Sequence, residues 1–207
     1  MNTIQPLAAA PVRPARRRAA AFVRIVTMAA FTWLLSGVLM ALQLRAQAPS
    51  FPESWVGTWR GTLTNYGGAD SIKLSVPVTL NFARTSQPGA YRMRHVYNND
   101  STRGMKNYTL RTVDAAAGKY VTDENNGILI DDTYTGGMLV SVFQVGEQVI
   151  ESRSEIRGDS LLQDLIFWRS VAVRTTRGAG PNGERGTPVL AFRVAGRQRS
   201  AFVRDRR

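Results

Sequence analysis

The stretch IKLSVPVTLNF, residues 72–82, puts Ile72, Leu74, Val76, Val78, Leu80 and Phe82 on one side of an extended chain. Lys73, Ser75, Pro77, Thr79 and Asn81 fall on the other. Apolar positions on a helix recur about every 3.6 residues, so a sustained period of two demands a strand with one buried face. Pro77 has no N–H to give to a ladder, which predicts a bulge or an unpaired stretch there.

The same period continues downstream, punctuated by turn residues. Strands are predicted over Ala90–Tyr97, Lys106–Val113 and Lys119–Asp123. Asn126-Gly127 then reads as a two-residue hairpin turn into Ile128–Tyr134. Gly136-Gly137 turns into Met138–Val145, and Gly146-Glu147 into Gln148–Ile156. Arg157-Gly158-Asp159-Ser160 leads to Leu161–Arg174. Residues 175–188 read as the one long loop, after which Val189–Val194 and Ser200–Arg204 close the chain. Sequential hairpins without long crossovers predict an all-β, antiparallel, up-and-down β-barrel of about 8–10 strands, favoured over a sandwich because closure removes exposed edges.

Residues 1–48 have a different character. A basic, acid-free start precedes IVTMAAFTWLLSGVLMALQL, residues 25–44, which carries no charge. Ala46-Gln47-Ala48 follows as a small-x-small cleavage site. This order reads as a signal peptide, or as an N-terminal membrane anchor, since the apolar run is long enough to span a bilayer as a helix. Five arginines precede that run and one follows it, which keeps the N-terminus cytoplasmic. The expectation is a domain at 49–207 that is extracytoplasmic: periplasmic, secreted, or tethered to the membrane by residues 25–44.

The formal net charge of +12 is unevenly spread. Residues 1–48 hold six arginines and no acid, and the segment from Arg169 onward holds ten basic residues and two acids. Residues 49–168 hold 11 basic and 13 acidic residues and are near neutral. Of the 27 basic residues 24 are arginine, without the lysine-and-aromatic mixture of a groove that tracks phosphates, so no nucleic acid partner is expected. The chain has no cysteine, which excludes disulfides, thiolate metal sites and cysteine nucleophiles.

SWVGTWRGTL, residues 54–63, places Trp55, Gly57, Trp59, Gly61 and Leu63 on one face of a strand, the glycines leaving room for close packing. Gly57-Thr58-Trp59 on the first strand of a predicted barrel resembles the first-strand signature of the lipocalins and related calycins. The resemblance implies that Trp59 plugs one end of the barrel and that an arginine of the last strand packs on its ring; Arg193, Arg197, Arg199 and Arg204 are the candidates. GTWRGTL also resembles the start of nitrobindin-type heme barrels, but those ligate heme through a histidine near the C-terminus, and no histidine follows His95. No cofactor is therefore expected.

Gly158-Asp159-Ser160-Leu161 spells the nucleophile block of the GDSL hydrolases, yet no histidine follows Ser160, and the residues read as a hairpin turn. His95, the only histidine, shares a strand face with Tyr91, Met93 and Tyr97, a row suited either to a half-buried wall or to an aromatic ligand. With Asn126-Gly127 as a two-residue turn, Glu124 and Asp131 fall on one face and Asp123 and Asp132 on the other. Four carboxylates so divided do not converge on a metal. Asn99-Asp100-Ser101 and Asn107-Tyr108-Thr109 are glycosylation sequons that matter only in a eukaryotic secretory pathway.

The expected function is that of an exported lipocalin-like barrel binding a small hydrophobic or aromatic ligand through Tyr91, Met93, His95 and Tyr97, with no catalytic residue and no metal assigned. The alternatives are a structural or interaction module of the cell envelope, touching the membrane through the N-terminal segment, and a heme or isomerase barrel centred on His95.

Overall fold

A computed structural model describes residues 50–180 and 182–206. The N-terminal apolar helix and the signal or anchor segment expected over residues 1–48 lie outside the described residues. Ten strands form a closed antiparallel barrel among the described residues: β1 (Gly57–Tyr66), β2 (Ile72–Arg84), β3 (Ala90–Tyr97), β4 (Met105–Asp114), β5 (Lys119–Asp123), β6 (Leu129–Thr135), β7 (Met138–Val145), β8 (Gln148–Arg157), β9 (Ser160–Arg169) and β12 (Val194–Arg204). Each pairs with its neighbour in sequence, and β12 closes the ring between β9 and β1. The order is up-and-down.

Three turns follow from their glycines. Gly136 and Gly137 (φ 56° and 84°) bridge Thr135 and Met138 as a two-residue turn. Gly146 does the same between Val145 and Gln148, and Gly158 between Arg157 and Ser160. Positive φ at the first turn position, and at both in Gly136-Gly137, matches the right-handed twist of the flanking strands, which fixes register locally.

The turn at Asn126-Gly127 departs from expectation. Asp123 pairs with Leu129, so the loop is one residue longer than a two-residue turn allows. Asn125 takes φ 59° with its N–H on the Asp123 carboxylate at 2.7 Å, and the Ile128 N–H donates to the Asn126 side chain at 3.0 Å. These side-chain bonds hold a wider loop. Thr122 therefore faces Ile130 and Tyr120 faces Asp132. The single-residue slip moves Asp132 to the face that carries Glu124.

Pro77 causes no bulge. It pairs with Thr62 of β1, and β2 pairs with β3 only from Val78 onward. The missing N–H thus lies where the second ladder has ended; the register shift of β1 against β2 falls at Asn65/Tyr66 instead.

The segment read as a long loop holds most of two strands, β10 (Arg174–Ala179) and β11 (Arg185–Ala191), paired as a separate two-stranded ribbon; the end of β11 falls in the strand expected over Val189–Val194, which stops at Ala191. The strand read over Leu161–Arg174 ends at Arg169. Every residue of β10 is exposed, as is every residue of β11 except Gly186. With neither face buried, the ribbon leaves no alternation for a sequence reading to find.

One end of the barrel is solid. Ahead of β1, residues 51–56 run through a 3-10 turn, Glu53–Trp55. Phe51 stacks on Tyr134 (centroids 4.3 Å) and meets Trp55 and Tyr120 edge-on at 4.9 Å. Trp59 is fully buried beneath. Its indole Nε1 donates to the Trp55 carbonyl at 2.8 Å. Of the four candidate arginines, Arg204 covers it, the guanidinium carbon 4.2 Å from the ring centre. The same guanidinium donates to the carbonyls of Val56 (2.7 Å) and Ser54 (2.5 Å), so one cation closes the strap, the ring and the last strand together.

The two glycines around Trp59 have separate reasons. A Cβ on Gly61 would lie 1.9 Å from the Ala201 carbonyl oxygen, so β12 packs against bare backbone there. Gly57, at φ 146°, lies against the Arg204 guanidinium.

Candidate functional site

Above the plug the barrel is not filled. A cavity of about 170 Å³ lies between Trp55 and Met93 at its base and Tyr97, Phe143 and Glu124 further along the strands. Its lining is unlike the plug. β3 and β4 contribute the rings of His95, Tyr97 and Tyr108; β7, β8, β9 and β12 contribute Ser141, Ser152, Ser154, Gln163, Gln198 and Ser200.

The alternation explains the serines. In β8 the charged residues Glu151, Arg153 and Glu155 interleave with Ser152 and Ser154. Arg153 pairs with Glu151 at 2.6 Å and Arg157 with Glu155 at 2.7 Å on the outer face. Charges that must stay in water turn the serines inward. The pattern ESRSE carries that signal, and an apolar-only reading of inward positions passes over it.

His95 is 7% exposed. Its Nε2 lies 3.4 Å from the Gln163 side-chain oxygen, so β3 and β9, which are not neighbours, meet across the lumen. The ring stacks parallel to Tyr97 (5.9 Å, 6°) and meets Tyr108 edge-on (5.8 Å). Burial pushes its pKa down to about 4, against a smaller upward pull from Gln163. The imidazole is neutral at physiological pH, and its Nδ1 is buried without a partner among the described residues.

Two carboxylates face inward. Asp132 is 6% exposed and accepts from the Thr122 hydroxyl at 2.6 Å and from the Ser141 hydroxyl. Burial raises its pKa, and those hydrogen bonds oppose the rise. Glu124 lines the cavity beside Tyr108, accepting from the Asn126 amide at 3.2 Å. Burial raises the Tyr108 pKa, with Glu124 adding to it. Burial and then Tyr108 raise Tyr97 to about 12. Both phenols stay neutral.

Of the four residues in the expected row, Met93, His95 and Tyr97 line the cavity. Tyr91 does not. It belongs to the plug, stacked on Phe82 at 5.4 Å with its hydroxyl donating to Glu53 at 2.7 Å. Residues two apart on a strand share a face but not a depth, and Tyr91 sits at the strap end.

Heme does not fit these residues. The Nε2 of His95 is turned to Gln163 and the Nδ1 is buried, so no ring nitrogen is presented to an iron. The cavity is also well below the ~300–1,000 Å³ usual for a drug-sized ligand. Nor does a nucleophile–base pair arise from the GDSL-like block. Ser160 pairs with Arg157 beyond the Gly158-Asp159 turn, and Asp159 is bound to Arg206 at 2.5 Å. The hydrogen-bonding partner of His95 among the described residues is an amide, which can neither orient a general base as a carboxylate does nor act as a nucleophile. Among the described residues, no group of three metal-ligating side chains converges.

No protein-family model matches the chain, and no curated protein matches it.

Proposed function

We propose that the chain is a calycin-like barrel, placed outside the cytoplasmic membrane, that binds one small molecule in the cavity above the Trp59 plug. The observation that carries this reading is the division of the lumen. The same ten strands are packed solid around Trp59 and left open around His95. A cavity of about 170 Å³ matches a ligand of roughly one ring, since an apolar cavity of about 150 Å³ is enough for benzene. The Trp59–Arg204 stack supports the kinship with calycins, because it joins the first strand to the last as the resemblance implies.

Native mass spectrometry of the full-length protein recovered from its own host is the test. A mass that includes a small organic adduct, lost when Ser154→Trp fills the cavity, is the expected result. A bare mass for the unaltered protein removes the reading. The same spectrum gives the N-terminal residue, and a mass lacking residues 1–48 is expected for a cleaved leader.

A second reading, an interaction module without a ligand, is favoured by one feature. Around the β10–β11 ribbon, Arg169, Arg174, Arg177, Arg185 and Arg193 stand against a single acid, Glu184. Val171, Val173, Leu190 and Phe192 are exposed beside them. Cations flanking bare apolar side chains suit an anionic lipid surface. Salt-sensitive sedimentation with anionic vesicles, absent once residues 174–191 are replaced by a short Gly-Ser turn, is the outcome that reading requires.

A further inference from the structure

The outer surface and the cavity differ in the sign of their charge. Four acids on the outer face are met by arginine: Arg111 on Asp123 at 2.6 Å, Arg153 on Glu151 at 2.6 Å, Arg157 on Glu155 at 2.7 Å and Arg197 on Asp164 at 2.6 Å. The cavity holds Glu124 and Asp132 and no lysine or arginine. Neither carboxylate has an ion-pair partner among the described residues; hydroxyls and an amide serve them instead. Asp132 is buried and Glu124 half-buried; a buried carboxylate without a cation is costly to hold, which marks such a group in a cavity as a candidate for binding.

Three further observations point the same way. Trp55, Tyr97 and Tyr108 bring ring systems to the lining, and the face of an aromatic ring attracts a cation. Thr122, Ser141, Ser152, Ser154 and Ser200 add hydroxyl oxygens that can accept from N–H donors. His95 lines the same cavity, more than nine-tenths buried, with one ring nitrogen unpartnered and no positive charge to oppose a cation. An anion finds no basic side chain in this lining. A bare metal ion finds no group of three metal-ligating side chains converging on one point among the described residues.

We propose that the cavity selects a small organic cation, an ammonium or amidinium group carried on a body no larger than one ring. The charge is taken by Glu124 and Asp132, and the body is held against the rings of Tyr97 and Tyr108. This rests on the ligand-binding reading above and names the class of ligand. It also sharpens the expectation of a small hydrophobic or aromatic guest: the inward serines and carboxylates are wasted on one without a charge or a hydrogen-bonding group.

The test uses three single-ring probes of nearly equal shape: benzylammonium, benzyl alcohol and benzoate, titrated into the full-length protein at neutral pH by calorimetry and ligand-observed NMR. Benzylammonium is expected to bind at least about ten-fold more tightly than benzyl alcohol, with benzoate weakest. The variants Glu124→Gln and Asp132→Asn keep shape and remove charge, and each is expected to erase most of that preference. Glu124 is the more exposed of the two and carries the test if Asp132→Asn fails to fold. Equal or tighter binding of the alcohol or of benzoate overturns the cation class while the ligand-binding barrel stands. An unchanged preference in a folded Glu124→Gln protein also overturns it. Binding of none of the three, together with a bare native mass, removes the barrel reading as well.

Discussion

The two ends of one lumen show how little the alternation of a strand says about what it encloses. β3 runs from the plug to the cavity, and its inward residues are Tyr91, Met93, His95 and Tyr97. At the plug, rings meet rings or a cation: Phe51 on Tyr134, Phe82 on Tyr91, Trp59 under Arg204. At the other end β7, β8 and β9 turn Ser141, Ser152, Ser154 and Gln163 inward among Leu139, Phe143 and Leu165. Backbone and period are the same at both ends; the polarity of the inward side chains and the volume they fill differ. The plug is where the fold gets its stability, and the cavity is where side chains too small to meet leave space.

The sharpest way to break this comparison is to remove a ring from the plug. Trp59→Ala is expected to cost about 3–5 kcal/mol in denaturant unfolding, from lost transfer energy and the hole left behind. Ser154→Ala in the cavity is expected to stay within about 1 kcal/mol, because it opens no void in packed surroundings. Similar costs at the two sites would end the distinction.

A second effect, of about 3 kcal/mol, comes from His95. Unfolded, its imidazole takes a proton near 6.5; folded, it stays neutral down to about 4. The native state therefore has its full advantage above pH 6.5 and loses it as the pH falls toward 4. Asp132, whose pKa is raised, works the other way. The folded form takes up its proton first as the pH drops, which softens the loss. Chemical unfolding between pH 7 and 4 should show the decline, His95→Gln should flatten it, and Asp132→Asn should steepen it.

The smallest effect belongs to the ribbon. Replacing residues 174–191 with a short Gly-Ser turn is expected to move stability by no more than about 1 kcal/mol, since its side chains are exposed and bury no core. A large loss in a thermal melt would make the ribbon part of the barrel's support.

How much of this can be read from the sequence depends on where register is decided. Turns with two residues of fixed chemistry, Gly136-Gly137 and Gly158-Asp159, determine pairing within a few residues, and the strand ends that flank them match their predicted positions closely. The Asn126-Gly127 loop is decided by side-chain bonds from Asp123 and Asn126, which compete with the turn dipeptide and shift Asp132 inward. The cavity's carboxylate pair was hidden by that one residue. The partner of Trp59 was hidden by distance. Alternation puts Arg204 on the face of Phe202 and Ser200, and Arg197 and Arg199 on the other, but Trp59 faces Arg204 only because β12 closes on β1. The serines were legible in the charge spacing of β8. Of the ribbon only the end of β11, within the strand expected from Val189, was legible, because the rest buries nothing that would set an alternation.

Closure through β12 has a consequence for the order of events in folding. The pairs that complete the ring, Trp59 with Arg204 and Leu63 with Ser200, join residues separated by most of the domain. Such contacts come late, because a long stretch of chain must first be confined to make them. As the chain is synthesised, the nine strands from β1 to β9 can assemble hairpin by hairpin, but β1 keeps an open edge until the last strand is present. The Arg204 stack on Trp59, which secures the plug, forms only with that final strand. Loss of the C-terminal eleven-residue strand would therefore leave an open sheet with Trp59 uncovered and two free edges, a form prone to pair with other copies of itself.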